Sequence, residues 1–368
     1  MVNAAAAAVV EHDPADPFGL TGALCAVPSV SGDELVLADA VTNRLRGRAV
    51  NLSIRRVANN VVARTELGLP RRIVLGGHLD TVPANGNAEP RFDGDVLHGL
   101  GSADMKGGLA VLLSLAELAS MRGATHDLTF VWYEGEEVAD EHNGLRHLFD
   151  VAPELLAGDL AILLEPTSGW VEAGCQGTLH ARVTVRGRRA HSARPWMGRN
   201  AIHAASALLT RVAAFDSATV TVDGLEYRES LQVVRVEGGV ANNVVPDECR
   251  FTVNRRFAPN RSVDDVAGEM RALLADADDV EILSASPAAP PNLHNPLVAE
   301  FVGTLDLAVR PKLGWTDVAR FASRGIPALN FGPGDPAVAH TAEEHVTRGD
   351  VEGCLRVLAH FVGLGVAR

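Results

Sequence analysis

Cysteine is scarce in this chain. Cys25, Cys175, Cys249 and Cys354 are the only four in 368 residues, and no two stand at the spacing of a metal knuckle or a redox pair. Reduced, packed thiols are therefore expected rather than a disulfide framework. Positive charge is short as well: 33 Lys and Arg against 46 Asp and Glu give a net charge of −13. That balance argues against non-specific partnership with nucleic acid or an anionic membrane surface. No apolar run approaches the length of a membrane span. The opening "MVNAAAAAVVEHD" holds a short apolar run with no basic residue ahead of it, unlike a secretory signal, and is expected to start the first helix. A cytoplasmic location is the resulting expectation.

Several familiar chemistries are missing too. There is no G-x-S-x-G, so a Ser/His/Asp triad lacks its nucleophile elbow. No P-loop and no G-x-G-x-x-G follows a strand. The Gly-rich stretch "GLGSADMKGG" (99–108) carries Asp104, which would repel a pyrophosphate rather than cradle it. No internal repeat occurs.

What is present is an ordinary globular composition, 47% apolar and 21% charged, with length enough for two domains. In the first half, apolar runs rich in β-branched residues alternate with helical stretches. Strands are expected at 71–77 ("RRIVLGG"), 126–134 and 158–166, a helix at 106–121, and near the C-terminus a helix in "WTDVARFASRG" and a strand in "IPALNFGPG". Near-continuous apolar strands with helices between them predict an α/β fold with a mostly parallel sheet covered on both faces. The middle of the chain differs. "TLHARVTVRG" (178–187) alternates strictly, as a strand with one wet face does. The segments after it predict a compact, ferredoxin-like α+β unit, including a helix N-capped by Ser262 with Asp265 in capping-box position. The expected organisation is one discontinuous domain, 1–177 with 288–368, into which 178–287 is inserted.

The strand ends carry the chemistry. His78 and Asp80 follow the first strand in "GGHLDTVP" (76–83), two apart and so on one face of an extended chain. Asp104 stands at the mouth of the apolar helix. Glu136 and Glu137 follow the 126–134 strand, Glu165 ends the buried run at 158–166, and His340 follows the last strand. In an open α/β sheet, ligands bind outside the carboxyl ends of the strands. Five strand ends thus deliver carboxylates and imidazoles to one edge, a nitrogen and oxygen donor set suited to zinc or a similar divalent ion. Taken alone, His78 or the Glu136–Glu137 pair reads as a hydrogen-bonded turn or a solvated loop, and only Glu165, a carboxylate ending a buried run, is costly unless paired; the joint arrangement is what favours a metal site.

"GGHLDTVP", "GLGSADMKGG", "YEGEE", "LEPT" and "AHTAEEHV" occur in that order along essentially the whole chain. In this they resemble the dinuclear zinc peptidases, a family that includes aminoacylases, acetylornithine deacetylases, carboxypeptidases and succinyl-diaminopimelate desuccinylases. "RAHSARPWMGRNAIH", "GGVANNVVPD" and "VNRRFAP" are most similar to the desuccinylase branch of high-GC Gram-positive bacteria. The resemblance implies a zinc-peptidase-like catalytic domain with an inserted dimerisation or lid domain, a homodimer, and two Zn2+ ions that Co2+ or Mn2+ could replace. It implies that His78 and Glu165 hold one ion, Glu137 and His340 the other, and that Asp104 bridges them, with Asp80 orienting His78. Glu136 would be the general base, moving a proton from water to the departing amine, and His191 the oxyanion donor. Asn243 and Arg256 would grip a substrate carboxylate, with Arg194 and Thr316 as further substrate contacts and Arg255 as the neighbour of Arg256 on the opposite strand face. The implied substrate is a small N-acyl amino acid, either N-succinyl-LL-diaminopimelate or another such as N-acetylornithine or a dipeptide. A catalytically silent binding relative is the reading from another class; an intact Glu136 argues against it.

Overall fold

The computed structural model describes residues 2–365. The chain divides into two units, and the outermost positions of the expected domain ranges, 1 and 366–368, lie outside the described residues. The larger unit is the chain up to Ala173, Asn292–Arg310, and the chain from Arg320 onward; the smaller is Gly174–Pro291 with Pro311–Ala319. Sequence reading drew the insertion at 178–287. The wider span has a local cause: Cys175 and Ala289 exchange both backbone hydrogen bonds at 3.0 Å, and the Gln176 amide donates to the carbonyl of Lys312. These pairings tie the two crossing segments, and 311–319 with them, to the inserted unit.

The larger unit is built on an eight-stranded sheet. Its order is Ser53–Val57, Asn60–Arg64, Asp127–Tyr133, Arg72–His78, Leu160–Leu163, Ala328–Asn330, Val171–Ala173 and Val309–Pro311. The four middle strands are parallel. Antiparallel strands flank them, including a hairpin of Ser53–Val57 with Asn60–Arg64. Asp127–Tyr133 is buried along its whole length, as expected of a strand covered on both faces. The Gly107–Met121 helix is apolar nearly all round and is buried accordingly. Gly108 lets it sit close to the sheet, since a Cβ there would come within 2.5 Å of the Leu164 carbonyl oxygen. "WTDVARFASRG" forms less helix than its pattern suggests: only Val318–Ala322 is helical, and the chain then turns through Gly325 at φ 77°.

The smaller unit runs β-α-β-β-α-β, with antiparallel strands in the order Ser230–Gly238, Glu248–Phe257, Gly177–Arg186, Asp279–Ser286. Alternation along Glu248–Phe257 sends Cys249, Phe251, Val253, Arg255 and Phe257 inward, into a core shared with the helices Ala201–Ala213 and Val263–Leu273. Ser262 caps the second helix, and Asp265 completes the capping box. All four cysteines are buried and free. Among the described residues, no helix is long and apolar enough to cross a membrane.

Candidate metal centre

Because the middle strands are parallel, their C-terminal ends share one edge of the larger unit. His78 is the last residue of Arg72–His78 and is buried. Its Nδ1–H donates to the Asp80 carbonyl oxygen at 3.0 Å, which fixes the tautomer and leaves Nε2 facing Asp104 Oδ1 at 3.1 Å. Asp104 lies in the turn Ser102–Lys106, whose Asp104 and Met105 leave helical geometry before the Gly107–Met121 helix begins. Its other oxygen, Oδ2, is 3.3 Å from His340 Nε2. His340 is 2.7 Å from Glu137 Oε1. One carboxylate thus presents one oxygen to each of two imidazoles, the disposition a ligand shared by two ions requires. Donor atoms of His78, Asp104 and Glu137 all lie within 4.8 Å of one another. Glu165, just beyond Leu160–Leu163, is buried, and its charge acts on His78.

The electrostatics match that geometry. Burial opposes charge on His78, but hydrogen bonds to Asp104 and Asp80 and the field of Glu165 outweigh it and raise its pKa well above the ordinary value. His340 is raised to about 9, first by Asp104, with Glu137 adding to it. For Asp104 burial works upward, yet the two imidazoles hold its carboxyl far below the usual range. Burial pushes Glu137 up. The cluster is therefore an acidic site that favours cations, and without a metal the imidazolium groups supply them. Imidazole nitrogens and carboxylate oxygens, with no thiolate, fit a divalent ion such as zinc.

Asp80 departs from the simple expectation. Its carboxylate is 3.6 Å from His78 Nδ1, and the main-chain carbonyl makes the closer bond. The carboxylate instead accepts the amide N–H groups of Glu136 and Glu137, both at 3.0 Å, and the Ser31 hydroxyl at 2.7 Å. Burial pushes its pKa up, but the neighbouring His78 above all, then the Ser31 hydroxyl and the Glu137 amide, outweigh it and lower the pKa to about 2. So Asp80 fixes the loop that carries the glutamate pair. Sequence reading missed Ser31 and Glu344, whose carboxylate holds the Asp104 turn; neither stood out from ordinary loop residues.

The remaining candidates lie in the smaller unit. A two-residue antiparallel pairing, Ala190–His191 with Val244–Val245, sets His191 beside Asn243, and the Ser192 amide donates to the Asn243 carbonyl at 2.9 Å. His191 Nδ1 accepts the Ala193 amide N–H at 3.0 Å, so in the neutral ring Nε2 carries the proton and is a donor. Arg194 is exposed at the start of the turn Pro195–Met197. Arg256 is half-buried on Glu248–Phe257. Its neighbour Arg255 is fully buried and paired with Glu229, which occupies it inside the unit. Thr316 is buried in the returning segment, its carbonyl 3.8 Å from Cys175 Sγ.

Residues 74–363 match the profile described as Peptidase family M20/M25/M40. The chain is 44% identical over 354 residues to a succinyl-diaminopimelate desuccinylase of Corynebacterium glutamicum, covering 94% of this chain and 96% of that protein. It is 47% identical over 349 residues to a Mycobacterium tuberculosis (strain ATCC 25618 / H37Rv) protein whose name assigns the same activity provisionally, covering 95% and 98%. Among solved structures, aminopeptidase PepT from Bacillus cereus ATCC 10987 aligns with a TM-score of 0.76 at 18% identity, covering 96% of this chain and 98% of that one. At that identity the likeness speaks for the fold.

Proposed function

The chain belongs to peptidase family M20/M25/M40, and from that premise we propose that it is a metal-dependent amide hydrolase removing succinate from N-succinyl-LL-diaminopimelate, in diaminopimelate and lysine biosynthesis. The observation that carries the reading is the identity of 44% to the Corynebacterium glutamicum desuccinylase across nearly the full length of both chains. The clustered His78, Asp104, Glu137 and His340 at one sheet edge support it independently.

We assign zinc as the metal, with cobalt or manganese as substitutes, and two ions per chain. When bound, such ions would supply Lewis acidity and lower the pKa of the attacking water. His78 and Glu165 would hold one ion and Glu137 and His340 the second, with Asp104 as the ligand common to the two. Glu136 takes the proton of the attacking water and returns it to the leaving amine. Asp80 keeps Glu136 and Glu137 in place through their amides. His191 donates through Nε2–H to the oxyanion, a role its tautomer suits. Asn243 and Arg256 bind a substrate carboxylate, for which a guanidinium has the matching fork, with Arg194 and Thr316 as further contacts. The active form is a cytoplasmic homodimer joined through the smaller unit.

Steady-state kinetics with two substrates tests the assignment. We expect kcat/KM for N-succinyl-LL-diaminopimelate to exceed that for N-acetylornithine by at least about 100-fold, the discrimination a site built to pair a second carboxylate can reach. Preference for the acetyl substrate would transfer the chain to another activity of the same family.

A further inference from the structure

Glu344 is a buried carboxylate that the hydrolytic scheme leaves without a role. It is 1% exposed, and an ionised group so placed is costly unless its oxygens are satisfied. Its Oε1 accepts two main-chain amides of the turn that carries Asp104. The N–H of Ala103 donates at 3.1 Å and that of Asp104 itself at 3.0 Å. The turn needs such an anchor, because Asp104 (φ −120°, ψ 91°) and Met105 (φ −136°, ψ 39°) have left helical geometry, where backbone amides lose their regular acceptors. Glu344 also lies four residues beyond His340, on the same loop. That loop is tied to the region before Asp104 at further points. The Asn87 side-chain amide donates to the Thr341 carbonyl at 3.0 Å, the Gly99 amide donates to the Glu344 carbonyl at 3.1 Å, and His345–Thr347 pairs with Val96–His98.

We infer that Glu344 is a positioning residue for the metal centre: it locks the Asp104 turn to the His340 loop and so sets the distance between two ligands that are far apart in the sequence. The inference rests on the assignment of Asp104 and His340 as metal ligands. Its mechanism is geometric. A single oxygen accepts both amides, so a glutamine, which keeps one carbonyl oxygen on a side chain of equal length, can hold the turn, whereas alanine or methionine cannot.

The test is metal affinity of the full-length protein, read by competition between the metal-stripped chain and a chromophoric zinc chelator, with the cobalt-loaded absorption spectrum as a second signal. Outer partners of metal ligands typically contribute 10- to 100-fold to affinity. Glu344→Ala and Glu344→Met should therefore weaken zinc binding by about tenfold or more and alter the cobalt spectrum, while Glu344→Gln stays within about threefold of the wild-type protein. Wild-type affinity in the alanine or methionine variant overturns the inference, and so does a glutamine variant as impaired as alanine, which would make charge rather than geometry the cause. If neither truncated variant folds, amide hydrogen exchange of the metal-free wild-type chain decides: slow exchange at Ala103 and Asp104 supports the anchor, and exchange at the rate of an open loop rejects it. Failure of the wild-type chain to bind zinc, cobalt or manganese is a different result, since it removes the metal assignment itself.

Discussion

Asp80 works through two different parts of itself. Its carbonyl sets the His78 tautomer, while its carboxylate gathers the amides of Glu136 and Glu137. The pair His-x-Asp was legible in the sequence because an extended chain puts both residues on one face, but the division of labour was not, because which oxygen meets which donor is decided by the folded loop. At this scale the raised imidazoles make a pH prediction. His340, with a pKa of about 9, and His78, also raised, are protonated at neutral pH when no metal is bound. A metal needs them neutral, so its uptake at pH 7 should release about two protons per chain, and affinity should climb with pH until about 9. The sign for stability runs the other way. A folded pKa raised above the unfolded value stabilises below the unfolded pKa of about 6.5 and loses that contribution as pH rises through about 9. Calorimetry of metal binding in buffers of differing ionisation enthalpy checks the first point, and melting of the metal-free chain from pH 7 to 9 the second. Metal affinity independent of pH would contradict both.

At the scale of elements, the loop 134–144 shows how the fold holds its glutamate pair. Gly135 sits at φ 68°, and a Cβ there would come within 2.3 Å of the His142 carbonyl oxygen. The Gly144 amide closes the loop on the Glu134 carbonyl at 2.8 Å, and Asp140 bonds to Arg146 and Arg320. Gly135→Ala should therefore destabilise the protein by about 1–3 kcal/mol, the cost of a side chain in a strained backbone region. It should also lower kcat and weaken metal binding, because the same loop carries Glu136 and Glu137. A melting temperature equal to wild type would reject this reading. The long parallel strands were readable because they are apolar runs ended by polar residues, and the Ser262 helix because its cap and capping box are local signals. The three-stranded sheet of Arg91–Asp93, Val96–His98 and His345–Thr347 was not readable, since each strand has three residues and the pairing joins distant segments. Val171–Ala173 and Val309–Pro311, at one end of the large sheet, escaped for a similar reason. Glu344 was hidden at the same level: within "TAEEHV" nothing local distinguishes it from Glu343, and the Asp104 amide that donates to it lies 240 residues away.

For the whole molecule, the smaller unit offers the surface for the proposed dimer. Ser230–Gly238 is an edge strand, and unpaired edges invite pairing with another chain. Val236 is 54% exposed on it, Val240 63% just after it, and Ile202 packs against its Gly238. Sedimentation velocity should report a dimer, and replacing Val236 and Val240 with glutamate should shift it toward monomer; a wild-type monomer at all concentrations would remove the dimer from the account. The central claim, a two-metal desuccinylase, is tested most directly by titrating zinc into the metal-stripped chain while measuring succinate released from N-succinyl-LL-diaminopimelate. The account predicts no release before metal is added, a rise that saturates at two equivalents, and a Glu136→Gln variant that takes up the same metal with kcat lower by about 100- to 10,000-fold. Full turnover in the stripped chain, or no succinate at any metal load, would contradict it.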